Sequence, residues 1–277
     1  MKNFKFNAIT ALIVGLNMAA VNAADGPILN DGLDNTATGQ NVIVIGHKSV
    51  VGGENSTSIG TNTTADGINA LALGTDAKAK VTNPAAANSN KPANLIAIGT
   101  NAKSEAAETV AIGESAKASK HNANAFGSKA KAEGESSLAL GSGSYAKEDS
   151  SVAIGNDSNA TAKSSVALGE STNATAIFAT AVGDSATASG VRSFAAGLNS
   201  NAQSDDSIAI GANTSSTVRG ISIGAEASAY HQGISVGYKS NASGIGSIAT
   251  GVGTSASGLS SIASGSNAVA SSTGSVA

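Results

Sequence analysis

The 277-residue chain contains no cysteine and no tryptophan, only three prolines, and 3% aromatic residues. Without cysteine there are no disulfides and no thiolate metal centres. Charge is also scarce, at 13% of residues with a formal net of −3. That balance lacks the basic patch a nucleic-acid binder carries. Bulk is the third shortage. Alanine makes up nearly half of the 41% hydrophobic fraction, with valine, isoleucine and leucine supplying most of the rest. A core packed in three dimensions needs large side chains, so any core here must be thin and built from small ones.

Glycine is plentiful at 33 residues, and its placement is regular. An apolar–small–apolar triplet followed by glycine recurs along the chain, as in Leu71-Ala72-Leu73-Gly74, Val152-Ala153-Ile154-Gly155 and Ile208-Ala209-Ile210-Gly211. Counting looser copies, the unit closes at Gly46, Gly60, Gly74, Gly99, Gly113, Gly127, Gly141, Gly155, Gly169, Gly183, Gly197, Gly211, Gly224, Gly237, Gly251 and Gly265. Of the fifteen intervals, twelve are 14 residues, two are 13 and one is 25. A fixed period over most of a chain is the mark of one unit stacked on itself.

The alternation within the triplet has period 2, which is a strand. Glycine ends it and admits a turn. A second short alternating piece follows, as in Ala116-Lys117-Ala118 or Ala186-Thr187-Ala188, and Asn, Ser, Asp and Gly fill the connections. The sequence therefore predicts an all-β parallel solenoid of 14-residue coils, each made of strand, glycine turn, strand and polar turn. A coil this short suits a flat, two-sided roll. Pro27, Pro84 and Pro92 fall outside the units, as a ladder that needs every N–H requires. The 25-residue interval reads as one coil plus an inserted surface loop within residues 80–94.

Period 2 puts Val152 and Ile154 on one face and Ala153 on the other. By the usual preference for large apolar side chains inside, the Val/Ile pair is expected to point into the roll. Ala72, Ala97, Ala111, Ala139, Ala153, Ala167 and Ala209 would then line an outer face small enough for another chain to pack on. The outward position of the second strand holds Lys78, Lys117, Lys131, Thr187 and Ser228, and should meet water.

At the N-terminus, Lys2 and Lys5 precede an apolar run from Ala8 to Val21, and Val21-Asn22-Ala23 fits a cleavage site. Residues 1–23 read as a signal peptide, 24–40 as a lead-in and 41–277 as the repeat region, so the mature chain is expected to be exported. No later stretch approaches the ~18 apolar residues of a membrane helix.

Ser151-Val152-Ala153-Ile154-Gly155 and its fellows resemble the head repeats of trimeric autotransporter adhesins, the YadA-like family. The resemblance covers residues 41 to 277. It implies a left-handed parallel β-roll, assembly as a homotrimer, and display on a Gram-negative outer membrane. It also implies attachment to collagen, fibronectin, laminin, host cells or other bacteria. Such proteins continue into a stalk and a β-barrel anchor, and no heptads or alternating membrane strands are seen here. Ser275-Val276-Ala277 begins another unit whose glycine would fall at position 279, so the chain reads as stopping mid-repeat, and membrane attachment would need a C-terminal anchor absent from it.

No catalytic, cofactor or metal site stands out. His47, His121 and His231 have no ligand spacing, Gly141-Ser142-Gly143 lacks the rest of a phosphate loop, and Asp205-Asp206 is an isolated acid pair in a turn. Gly52-Gly53-Glu54-Asn55 only faintly echoes a calcium nonapeptide. Asn55, Asn62 and Asn213 open glycosylation sequons that a chain rich in Asn, Ser and Thr produces by chance. Tyr145, Tyr230 and Tyr238 lie near turns, where they would pack on a coil edge or anchor a ligand. The reading is a non-enzymatic adhesin head; the alternative is a passive spacer or phage-fibre segment. Ice binding lacks its threonine column, and a β-helix enzyme lacks its cluster of acids.

Overall fold

A computed structural model of the protein describes residues 29–30, 34–82 and 93–277. The segment read as a signal peptide, the three prolines and most of the inserted loop lie outside the described residues. The chain divides into two compact units, Met1–Ser115 and Ala116–Ala277. Both are built from the same coil. The described residues form thirty-four short strands, and every pairing between them that is resolved is parallel and joins equivalent positions of successive coils.

The coil from Ser151 to Ser164 shows the plan. Val152–Ile154 forms the first strand, Gly155-Asn156-Asp157 turns the chain, Asn159–Ala160 forms the second strand, and a second turn ends at Ser164. In one sheet Val152 pairs Val166, Ala153 pairs Ala167 and Ile154 pairs Leu168. In the other Asn159 pairs Asn173 and Ala160 pairs Ala174. The same registers run from Asn124 to Ser264 in the second unit and from Ile43 to Ile112 in the first. They begin earlier than residue 41: Leu29 already pairs Ile43, and Thr36 pairs Val50. Across the 25-residue interval Leu71 pairs Ile96 directly, and Lys78 pairs Lys103.

The interior corrects the expected orientation of the strands. Ala153 is fully buried, as are Ala72, Ala97, Ala111, Ala139, Ala167 and Ala209, all at 0% exposure within a single chain. The alanines fill the roll, while Val152 and Ile154 point outward and remain half-buried. The cause is the width of the coil. Each turn is only three residues long, so the two strands lie close together and most inward positions hold Ala or Ser, with a few Thr and, in the first unit, the larger Val42, Val44, Val51 and Leu95. Four small groups per coil fill the gap: Ser151, Ala153, Ser158 and Ala160 are all buried. The alanine face is therefore not a surface on which another chain can pack.

The turns share one device. Besides the repeat glycines, one residue in every seven is left-handed, as in Ser150 (φ 57°), Asp157 (52°), Ser164 (54°) and Ser171 (52°). Each coil is thus two similar seven-residue halves, in–out–in–out followed by a left-handed turn. Where a serine opens a half it often ties the turn before it: Ser137 Oγ donates to Gly134 O at 2.7 Å, Ser158 Oγ to Gly155 O at 3.0 Å and Ser165 Oγ to Ala162 O at 2.6 Å, while Ser193, Ser200 and Ser261 hold no such bond. These bonds satisfy hydroxyls that would otherwise be costly to bury.

The repeat glycines stand in a column. Gly155 has φ +133°, and a Cβ there would collide with the carbonyl of Gly169 in the next coil. Gly46 meets Gly60 in the same way, and Gly237 meets Gly251. The two 13-residue coils lose their residue at the second turn, where positive φ falls after six residues, at Arg219 and Gln232. Their inward position is glycine instead of serine. A Cβ at Gly220 would lie 2.8 Å from Ser216 Oγ, and one at Gly233 would lie 2.6 Å from Tyr230 O. The shortened turn draws the backbone inward until there is no room for a side chain.

Candidate functional site

With the small residues inside, each unit presents two different broad faces. The face built on the triplet strands carries two outward columns. In the second unit the first column includes Leu138, Val152, Val166, Ile208, Ile221 and Ile234, and the second includes Leu140, Ile154, Leu168, Ile210, Ile223 and Val236. The first unit continues the pattern with Ile43 and Ile45, both 39% exposed, and with Leu71, Leu73, Ile96 and Ile98. No charged residue occupies either column in either unit. An uncharged, largely apolar ladder, half out of water over so many coils, exceeds the scattered apolar exposure of an ordinary monomer surface.

The doublet strands present the polar face. Lys78, Lys103, Lys131 and Ser228 are exposed, with Lys117 and Thr187 half-buried. Its chemistry changes along the second unit. Early coils are charged and interlocked: Lys117 Nζ lies 3.5 Å from Glu133 Oε1, Tyr145 Oη donates to Glu133 Oε2 at 2.8 Å, and Lys131 Nζ sits 5.9 Å from the Tyr145 ring centroid. From Asn159 onward the same column reads Asn173, Thr187, Asn201, Ser215, Ser228, Asn241 and Ser255, with no charge.

Tyr145 is accordingly perturbed. Desolvation first, then its bond to Glu133 and the negative charges of Glu133 and Glu148, push its hydroxyl up to about 12. A folded value above the unfolded one stabilises the neutral phenol below pH ~10, and that contribution is lost as pH rises toward 12. The tyrosinate absorbance assigned to Tyr145, taken as the difference between the natural chain and Tyr145→Phe, is expected to appear only near pH 12. A difference titrating around pH 10 would mean the bond to Glu133 does not form.

Most of the other residues considered from sequence occupy turns, while His47 ends the strand Ile43–His47. His47 Nε2 lies 3.6 Å from Asp34 Oδ2, and His231 packs at a tilt against Tyr230 with ring centroids 4.4 Å apart. Asp206 takes a two-pronged bond from Arg192 at 2.7 and 2.9 Å, and Asp205 Oδ1 accepts Val191 N–H at 2.9 Å. Gly143 supplies a left-handed turn residue, φ 68°. Among the described residues no three His, Asp or Glu side chains gather to hold a metal. Asn55, Asn62 and Asn213 all have positive φ, which asparagine tolerates better than most residues, so the turn accounts for their presence. Tyr230 and Tyr238 are 49% and 46% exposed at turns, and Lys239 Nζ lies 5.0 Å from the Tyr238 ring centroid.

A two-sheet parallel roll of 14-residue coils, filled mostly with Ala and Ser and closed by a glycine column, defines a solenoid repeat protein. The profile of the YadA head domain repeat (2 copies) matches residues 37–63, 52–77, 65–83, 96–116, 105–130, 118–144, 132–158, 146–171, 160–186, 174–200, 188–214, 231–254 and 256–277. The chain belongs to the YadA head family, a structural, non-enzymatic repeat. Among solved structures it is similar to the crystal structure of the collagen-binding domain of the Yersinia adhesin YadA, at 21% identity and a TM-score of 0.28, covering 72% of this chain and 79% of that one. No curated protein matches the chain.

Proposed function

We propose that this chain is the head of an exported Gram-negative surface adhesin, acting as a homotrimer whose apolar faces pack together and whose polar faces meet the ligand. The observation that carries the assembly is the uncharged Val/Ile/Leu ladder. A partner for such a ladder must present apolar groups at the same ~4.8 Å spacing, and another copy of the chain does so by construction. The eleven triplet strands of the second unit, with two outward residues each, offer on the order of 1,000 Å² per copy, above the roughly 800 Å² per partner of a stable interface.

Adhesion follows from family membership and from the outer faces. Trimerisation leaves the doublet sheets and the turns outside, where weak contacts repeated over coils and copies add up through avidity. Extracellular matrix protein, collagen first, is the ligand class this reading favours, with attachment to host cells or other bacteria as its cellular outcome. The test is purified chain, residues 24–277, applied to immobilised collagen, fibronectin and laminin and to cultured cells. Saturable binding that a monomeric variant loses is expected. A trimer that binds none of these surfaces is a passive spacer instead.

A further inference from the structure

A ladder of near-identical rungs has a weakness. One copy can slide along another by a whole coil, ~4.8 Å, and still set Val, Ile and Leu against Val, Ile and Leu. Register is weakly specified wherever successive positions are interchangeable. We propose that Asn124 and Phe194 are the register-setting residues of this face, locking copies of the second unit side by side at the same level. The inference rests on the self-association of the apolar faces proposed above.

Asn124 is the one amide in the two outward columns of the second unit. It occupies a position that Leu138 and Val152 hold in the next two coils. Its Nδ2 donates to Asn122 O at 3.0 Å, which leaves the amide oxygen and the second N–H for a partner. In a cyclic assembly about an axis along the stack, equivalent residues share one level. Asn124 then meets Asn124, and each amide finds donor and acceptor. A slip of one coil sets it against Leu138 of the other copy and leaves a buried amide unpaired, which disfavours the slipped state by roughly 10- to 100-fold. A lone asparagine in an apolar seam specifies register in coiled coils by the same means.

Phe194 acts through shape. It is the largest side chain of the first outward column, and the second outward residue of its strand, Ala196, is the smallest of its column. The strands on either side carry Thr180 with Val182 and Ile208 with Ile210. Beside Phe194 the face recedes at Ala196, which leaves room for a ring from a neighbouring copy. One coil up or down, the ring meets Val182 or Ile210, and overpacking opposes the slip.

The absence of native cysteine gives a clean test by disulfide trapping. The purified chain is prepared as Val152→Cys and as Val166→Cys, two positions that pair on adjacent coils, carrying different tags; Ile154→Cys and Leu168→Cys serve as a second pair. The two versions of each pair are mixed, unfolded and refolded together, and oxidised. Like-with-like disulfides are expected to dominate. In an Asn124→Val, Phe194→Ile background, which installs residues that sister coils already hold, the mixed disulfides should rise by roughly 10- to 100-fold. Mixed disulfides as abundant as matched ones in the natural sequence, or a ratio the double substitution does not move, overturn the register proposal alone. A chain that sediments as a monomer at every concentration, or an oligomer that links at neither pair, overturns the association itself.

Discussion

Ala153→Leu is expected to unfold the coils around it, the largest stability loss of any single substitution on the triplet strand. Ala153 is fully enclosed, paired with Ala139 and Ala167 in the coils on either side and facing the second sheet across a gap sized for methyl groups. Three added carbons have nowhere to go. Overpacking typically costs ~1–3 kcal/mol where neighbours can shift. Here the neighbours are backbone ladders, so the upper end of that range or beyond is expected. The loss should spread, since each coil is stabilised chiefly by the coils it touches. Thermal unfolding followed by far-UV circular dichroism reads it as a lowered midpoint or a separate early transition. Val152→Thr, one residue away and outward, should leave that curve nearly unchanged under conditions where the chain is monomeric. If the two substitutions exchanged their effects, the alanines would be on the outer face after all.

The second large effect is on assembly. Ile154→Asp together with Ile210→Asp is expected to give a folded monomer. Both isoleucines are outward and half-buried on the uncharged face, so a carboxylate there is well hydrated while the chain is alone. Association would bury it without a partner, at roughly 3–5 kcal/mol for each uncompensated charge. Even one such charge weakens association by on the order of 100-fold or more. Sedimentation velocity of the natural and substituted chains over a range of concentrations measures the change, with circular dichroism confirming that the β-roll persists. An aspartate variant that keeps its oligomeric state would move the interface to another surface. The same variant serves as the monomeric control for the matrix-binding assay.

Period and direction were legible in the sequence. The glycine spacing alone defines the stacked coils, and the coordinates place Gly155 over Gly169 as that spacing requires. What misled was the general preference for large side chains inside. Val152 and Ile154 look like core, and in a sandwich of ordinary thickness they would be. The deciding quantity is turn length: three-residue turns such as Gly155-Asn156-Asp157 hold the sheets close enough for Ala and Ser to fill most of the gap, with Val44 and Leu95 of the first unit as larger exceptions. A second regularity was present and unread. Ser137, Ser144, Ser151, Ser158 and Ser165 recur every seven residues, half the glycine period, and mark the inward hydroxyls that tie the turns. The missing residues of the short coils were legible as two 13-residue intervals, but the compensating Gly220 and Gly233 become intelligible only when the space at each is known.

The direct pairing of Leu71 with Ile96 across eleven surplus residues carries a lesson about how such a gene can change length. The rungs on either side hold together whatever departs from the edge between them, and each rung asks only for a like rung above and below. An in-frame gain or loss of fourteen codons therefore leaves every remaining rung properly seated. In the proposed assembly all copies are translated from the same message, so Asn124 and Phe194 would move with their rungs in every subunit at once. Reach can be lengthened or shortened over generations while the alignment between subunits is kept.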